Sequence, residues 1–94
     1  MDLENKYKRN EHFVYRKIEN ETILVPIKDN VGDMSCIYNL NDVGAFIWEH
    51  LDGERALSDI LHMITDEFDV TIEDAEIDLH DYISDLSEIG AIQQ

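Results

Sequence analysis

One stretch limits the architecture of this chain more than any other: Leu40-Asn41-Asp42-Val43-Gly44-Ala45-Phe46-Ile47-Trp48-Glu49-His50-Leu51-Asp52-Gly53. It reads as the end of a strand, then a capped apolar helix, then a glycine stop, about midway along the chain. Asn41 is a favourable N-cap, and Asp42 in the first turn suits the positive end of the helix dipole. Val43, Phe46, Ile47 and His50 form one stripe, which Trp48 and Leu51 widen, so this helix should be buried over much of its circumference. Gly53 is the expected left-handed residue that ends it.

Upstream of that point the pattern is that of strands. Two β-prone runs, Phe13 to Ile18 and Thr22 to Ile27, flank the polar connector Glu19-Asn20-Glu21, a hairpin turn without the Asn-Gly or Asp-Gly signature. Pro26 has no N–H to donate, so it belongs at a strand end or on a free edge. Asp29 to Asp33 is a loop. Met34, Cys36, Tyr38 and Leu40 then alternate with Ser35, Ile37 and Asn39, which puts the two sets on opposite faces of a third strand. An antiparallel meander is the expected arrangement. Residues 1–10 are polar and read as a loose arm.

Downstream the period is helical. Leu57, Ile60, Leu61, Ile64 and Phe68 repeat at three-and-four spacing. A third helix opens at Thr71, with Asp74 placed as in a capping box. Ile72, Ala75, Leu79, Tyr82, Ile83, Leu86 and Ile89 line one side, Asp74, Asp78, Asp81 and Asp85 lie on the other, and Gly90 stops the helix. Ile77 falls among the acidic residues and should be exposed, as a lone surface apolar residue or as a partner contact. Three strands followed by three helices make an α+β domain over residues 11–92.

Ninety-four residues are enough for one domain. The hydrophobic content of 44% and charged content of 31% are those of a globular protein. The net charge of -15 excludes more than it suggests. Nucleic acid and anionic membrane surfaces are unfavourable partners, because binding them requires Lys and Arg to neutralise phosphates. A cationic peptide or basic protein surface would be attracted. No run approaches the roughly 18 apolar residues of a membrane span, and Met1 to Glu11 has no signal-peptide core. Cytoplasmic residence is the default expectation.

Candidate chemistry is sparse. His12, His50, His62 and His80 have no ligand spacing with one another, so no metal is expected. Cys36, on one face of the third strand, is better read as packing than as a nucleophile, since net negative charge raises a thiol pKa. The carboxylates read as a solvated face, with a buried acid pair as the catalytic alternative. The glycines are isolated, so no phosphate loop forms. Gly44 costs its helix about 1 kcal/mol relative to Ala, which implies close backbone approach, with Trp48 one turn on as a candidate neighbour.

The order of elements and a set of short motifs together resemble the PqqD-like family of peptide recognition elements. The motifs are Leu40-Asn41, Gly44, Ile47-Trp48, Leu51-Asp52-Gly53, Ile60, Phe68-Asp69-Val70, Leu86 and Ile89-Gly90-Ala91-Ile92. The resemblance implies a winged helix-turn-helix-like fold, with a three-stranded antiparallel sheet followed by three helices. It implies a non-catalytic chaperone with no cofactor, which binds the leader segment of a ribosomally made precursor peptide. The leader would add as a strand beside the third strand and be presented to a radical enzyme, protease or cyclase. Carried onto this chain, the peptide-binding residues are Met34, Ser35, Cys36, Ile37, Tyr38 and Asn39 of the strand, with Asp78, Tyr82, Ile83 and Leu86 of the third helix. The same free edge would allow a homodimer. Ala56 stands where the family commonly has a Ser or Thr helix cap, and Pro26 is followed by Ile27, so the resemblance points to a general recognition element and to no particular pathway. The other reading the fold permits is a winged-helix transcriptional regulator, against which the charge argues.

Overall fold

The computed structural model describes residues 2–26 and 38–94. Its elements are β1 (Lys6–Arg9), β2 (Phe13–Ile18), β3 (Glu21–Pro26), β4 (Tyr38–Leu40), α1 (Asp42–Glu49), β5 (Asp52–Ala56), α2 (Leu57–Glu67), α3 (Ile72–Glu88) and β6 (Ile92–Gln93). The expected meander is present as an antiparallel sheet in the order β2-β3-β4. Its register pairs Tyr15 with Leu24 and Leu24 with Tyr38, and pairs Lys17 with Thr22 and Thr22 with Leu40. Paired residues share a face, so Phe13, Tyr15, Thr22, Leu24, Tyr38 and Leu40 look toward the helices. Ile18 pairs with Glu21 across a two-residue turn in which Glu19 takes a φ of 55°. Met34 to Ile37 of the expected third strand lie outside the described residues.

A second sheet, in the order β5-β1-β6, was not expected. The reading of residues 1–10 as a loose arm is corrected at Lys6–Arg9, which forms the middle strand of that sheet. The segment also serves the helices. Asn5 and Leu3 carbonyls accept from the N–H groups of Leu57 (3.0 Å) and Ser58 (2.8 Å) at the start of α2. Ala56 has no side chain with which to cap that helix, and these two bonds take over its orphan donors. Asp59 Oδ2 accepts from the Ala56 N–H at 3.1 Å. Arg9 Nη1 donates to the carbonyls of Glu49 (2.8 Å) and Trp48 (3.2 Å), placing a cation at the negative end of α1, whose last turn has no base of its own.

The helices begin and end for local reasons. Asn41 Oδ1 accepts from the Gly44 N–H at 2.8 Å, and Thr71 Oγ1 from the Asp74 N–H at 3.2 Å. α1 stops at Glu49, earlier than its glycine suggested. Gly53, at φ 80°, instead lies inside β5, opposite an irregular register between Lys6 and Lys8. Gly90, at φ 78°, closes α3 in a Schellman arrangement, with Gly90 N–H to Ser87 and Ala91 N–H to Leu86. The core holds Leu24, Leu40, Ile47, Trp48, Leu51, Leu57, Ile60, Ile64, Ala75, Leu79, Ile83 and Leu86, drawn from the sheet and all three helices. Ile77 is 59% exposed, as its helical position implied, but Ile72, assigned to the apolar stripe, is also exposed at 48%.

Candidate functional site

β4 turns directly into the N-cap of α1 at Asn41, which places Tyr38, Asn41 and α3 side by side. A cleft of about 260 Å³ opens there, lined by Tyr38, Asn41, Asp78, Asp81, Tyr82 and Asp85. Residues 78, 81, 82 and 85 are spaced i, i+3, i+4 and i+7, so they form one face of α3 over two turns. Tyr38 Oη donates to Asp85 Oδ2 at 2.9 Å, and its ring meets Tyr82 edge-on with centroids 6.4 Å apart. That pair ties the strand to the helix across the cleft.

The electrostatics are one-sided. Partial burial, reinforced by the hydrogen bond to Asp85 and by the charges of Asp85 and Asp81, holds the Tyr38 proton far above the ordinary tyrosine range. Burial also raises Tyr82, with Asp78 and Asp85 adding to the shift and a backbone hydrogen bond from Asn41 opposing it. α3 carries Glu73, Asp74, Glu76, Asp78, Asp81, Asp85 and Glu88 and no Lys or Arg.

Tyr82 is held from behind by α1. A Cβ built on Gly44 would lie 2.6 Å from Cε1 and Cζ of Tyr82 and 2.9 Å from its hydroxyl. The close approach expected at Gly44 is therefore real, but its neighbour is Tyr82 of α3 and not Trp48, which is buried in the core.

Of the residues expected to form the site, Tyr38, Asp78 and Tyr82 come together in this cleft. Asn39 is exposed on β4, paired with Ile23. Ile83 and Leu86, 4% and 0% exposed, point into the core and support the helix from behind. Met34, Ser35, Cys36 and Ile37 lie outside the described residues. Sequence reading did not place Asn41, Asp81 or Asp85 here, although the i, i+3, i+7 spacing from Asp78 carried the signal. Among the described residues no strand pairs with the outer edge of β4, and no group of three His, Cys, Asp or Glu side chains could hold a metal ion. Among them too, no helix is long and apolar enough to cross a membrane.

A three-stranded antiparallel sheet with three helices packed on it defines a winged-helix-like α+β domain. The family profile described as Coenzyme PQQ synthesis protein D (PqqD) matches residues 21–92, and the chain belongs to that family. Two solved structures share the fold. TbiB1 in complex with the TbiA(beta) leader peptide is 24% identical, with a TM-score of 0.71 over 92% of this chain and 94% of that one. Lasso peptide synthetase B1 complexed with the leader peptide is 21% identical, with a TM-score of 0.75 over 96% of this chain and 100% of that one. No curated protein matches the sequence.

Proposed function

We propose that this protein is a non-catalytic chaperone that binds the leader segment of a ribosomally made precursor peptide and presents it to a modifying enzyme. The observation that carries the reading is the outer edge of β4, which lies beside the α3 cleft and pairs with no strand among the described residues. An unpaired edge offers N–H and C=O groups at strand spacing, which an extended peptide satisfies while a neighbouring cleft selects its side chains. Family membership supports the reading, as do two neighbours of the same fold that each hold a leader peptide. Tyr38, Asn39, Asp78 and Tyr82 are the described residues proposed to meet the peptide, and Met34 to Ile37, also proposed to meet it, lie outside the described residues. The recipient is a radical enzyme, protease or cyclase, and the same edge is the proposed site of any homodimer.

Isothermal titration tests the reading, using leader segments from short precursor genes encoded beside this one. Binding with a Kd below about 100 µM is expected, and silence at that concentration with all of them refutes the proposal.

A further inference from the structure

The cleft beside β4 is lined by two tyrosines, an asparagine and three aspartates, and its charge is unbalanced. No aliphatic side chain lines it, and Asp78, Asp81 and Asp85 face it together. Asp78 with Asp81 and Asp81 with Asp85 are like-charge pairs at i,i+3 and i,i+4, a placement that destabilises a helix. Nothing among the described residues offsets that cost. The basic residues there are Lys6, Lys8, Arg9, Arg16, Lys17 and Arg55, on β1, β2 and β5, and the single ion pair joins Arg55 to Asp52. The Tyr38 hydroxyl is committed to Asp85 and does not neutralise it. The carboxylates are strung along two helical turns, a spacing that suits a long flexible cation. Tyr38 and Tyr82, packed edge to face, close one side of the cleft and leave the carboxylates along the other.

We infer that the segment adding to β4 carries a lysine or arginine whose side chain enters this cleft beside Tyr38 and Tyr82 and is held by Asp78, Asp81 and Asp85. The inference rests on the proposed strand addition and specifies its occupant. The backbone edge accepts any extended sequence, and one basic side chain fixes which residue stands opposite Tyr38. A misregistered peptide would leave the carboxylates unpaired and place its own apolar groups among them.

A random 15-residue display library, selected on the full chain, supplies the probes. Peptides responding at the backbone amides of Tyr38, Asn39 and Leu40 in NMR spectra should share a Lys or Arg at one fixed position. Replacing that residue by norleucine should weaken binding about 5- to 20-fold at low salt, and the loss should shrink as NaCl screens the pairing. The double variant Asp81→Asn/Asp85→Asn keeps the shape and relieves the helix repulsion, so it should fold, bind the same peptides and lose the basic preference. Binding at the β4 amides with no basic requirement overturns this inference and leaves the proposed function standing. Selected peptides that leave those amides unshifted overturn both.

Discussion

Gly44→Ala separates two opposing effects of known sign. An alanine in a helix is worth about 0.5–1 kcal/mol over glycine, so α1 alone would be stabilised. The new methyl, however, would sit 2.6 Å from two ring carbons of Tyr82, where carbon atoms in contact settle near 3.5–4.0 Å. The ring must therefore retreat by roughly 1 Å, and α3 blocks simple translation because Leu79, Ile83 and Leu86 anchor it in the core. Overpacking of this kind costs about 1–3 kcal/mol, so the net effect in the parent chain is a loss of about 1 kcal/mol. In a Tyr82→Ala background the obstruction is gone and the same substitution should stabilise by about 0.5–1 kcal/mol. Urea unfolding followed by the emission of Trp48, with m unchanged, measures both values. Equal effects in the two backgrounds would refute the claim that Tyr82 is seated on Gly44.

Three further substitutions test other parts of the account. Tyr38 has its proton held above the ordinary value of 10.0, so its contribution to stability is complete below pH 10 and is lost as pH rises toward the folded-state value. The unfolding free energy of the parent should then fall more steeply above pH 10 than that of Tyr38→Phe, and parallel profiles would contradict the assignment. Arg9→Met removes the cation capping α1 and should cost about 0.5–1.5 kcal/mol, read as a lower melting temperature. Ala56→Ser supplies a side-chain cap to α2, but Leu3 and Asn5 already serve two of its donors. Its gain should therefore be smaller in the full chain than after removal of residues 1–5, where it should approach about 1 kcal/mol in thermal unfolding.

The parts of the fold legible in the sequence are those whose pattern is local. β2, β3 and β4 follow from β-branched and alternating runs, and the helices follow from three-and-four spacing with Asn41, Thr71 and Gly90 as punctuation. The second sheet was illegible because β1 is Lys-Tyr-Lys-Arg, in which Tyr7 alone packs on the core, and its partners β5 and β6 lie far along the chain. Its strands are held by backbone pairing, by capping of other elements and by single core contacts at Tyr7 and Ile92, none of which leaves a periodic trace. The site was half legible. Resemblance pointed to β4 and α3 but carried Ile83 and Leu86 to the cleft, whereas helical counting had placed both on the buried side and Asp81 and Asp85 on the exposed one, where the structure has them. Which part of that exposed side meets β4 is set by tertiary contacts such as Tyr82 on Gly44, which leave no local pattern.

The same distribution of charge bears on the regulator reading. α3 presents seven carboxylates and no Lys or Arg, which repels a phosphate backbone at any salt concentration where charge still acts.

Amide hydrogen exchange at β4, with and without a titrated leader segment, tests the central claim most directly. Strand addition predicts that the peptide slows exchange at outward-facing amides between Tyr38 and Leu40, while the outer edge of β2 exchanges as before. Protection at β2 alone, or none at β4 under saturating peptide, would contradict it.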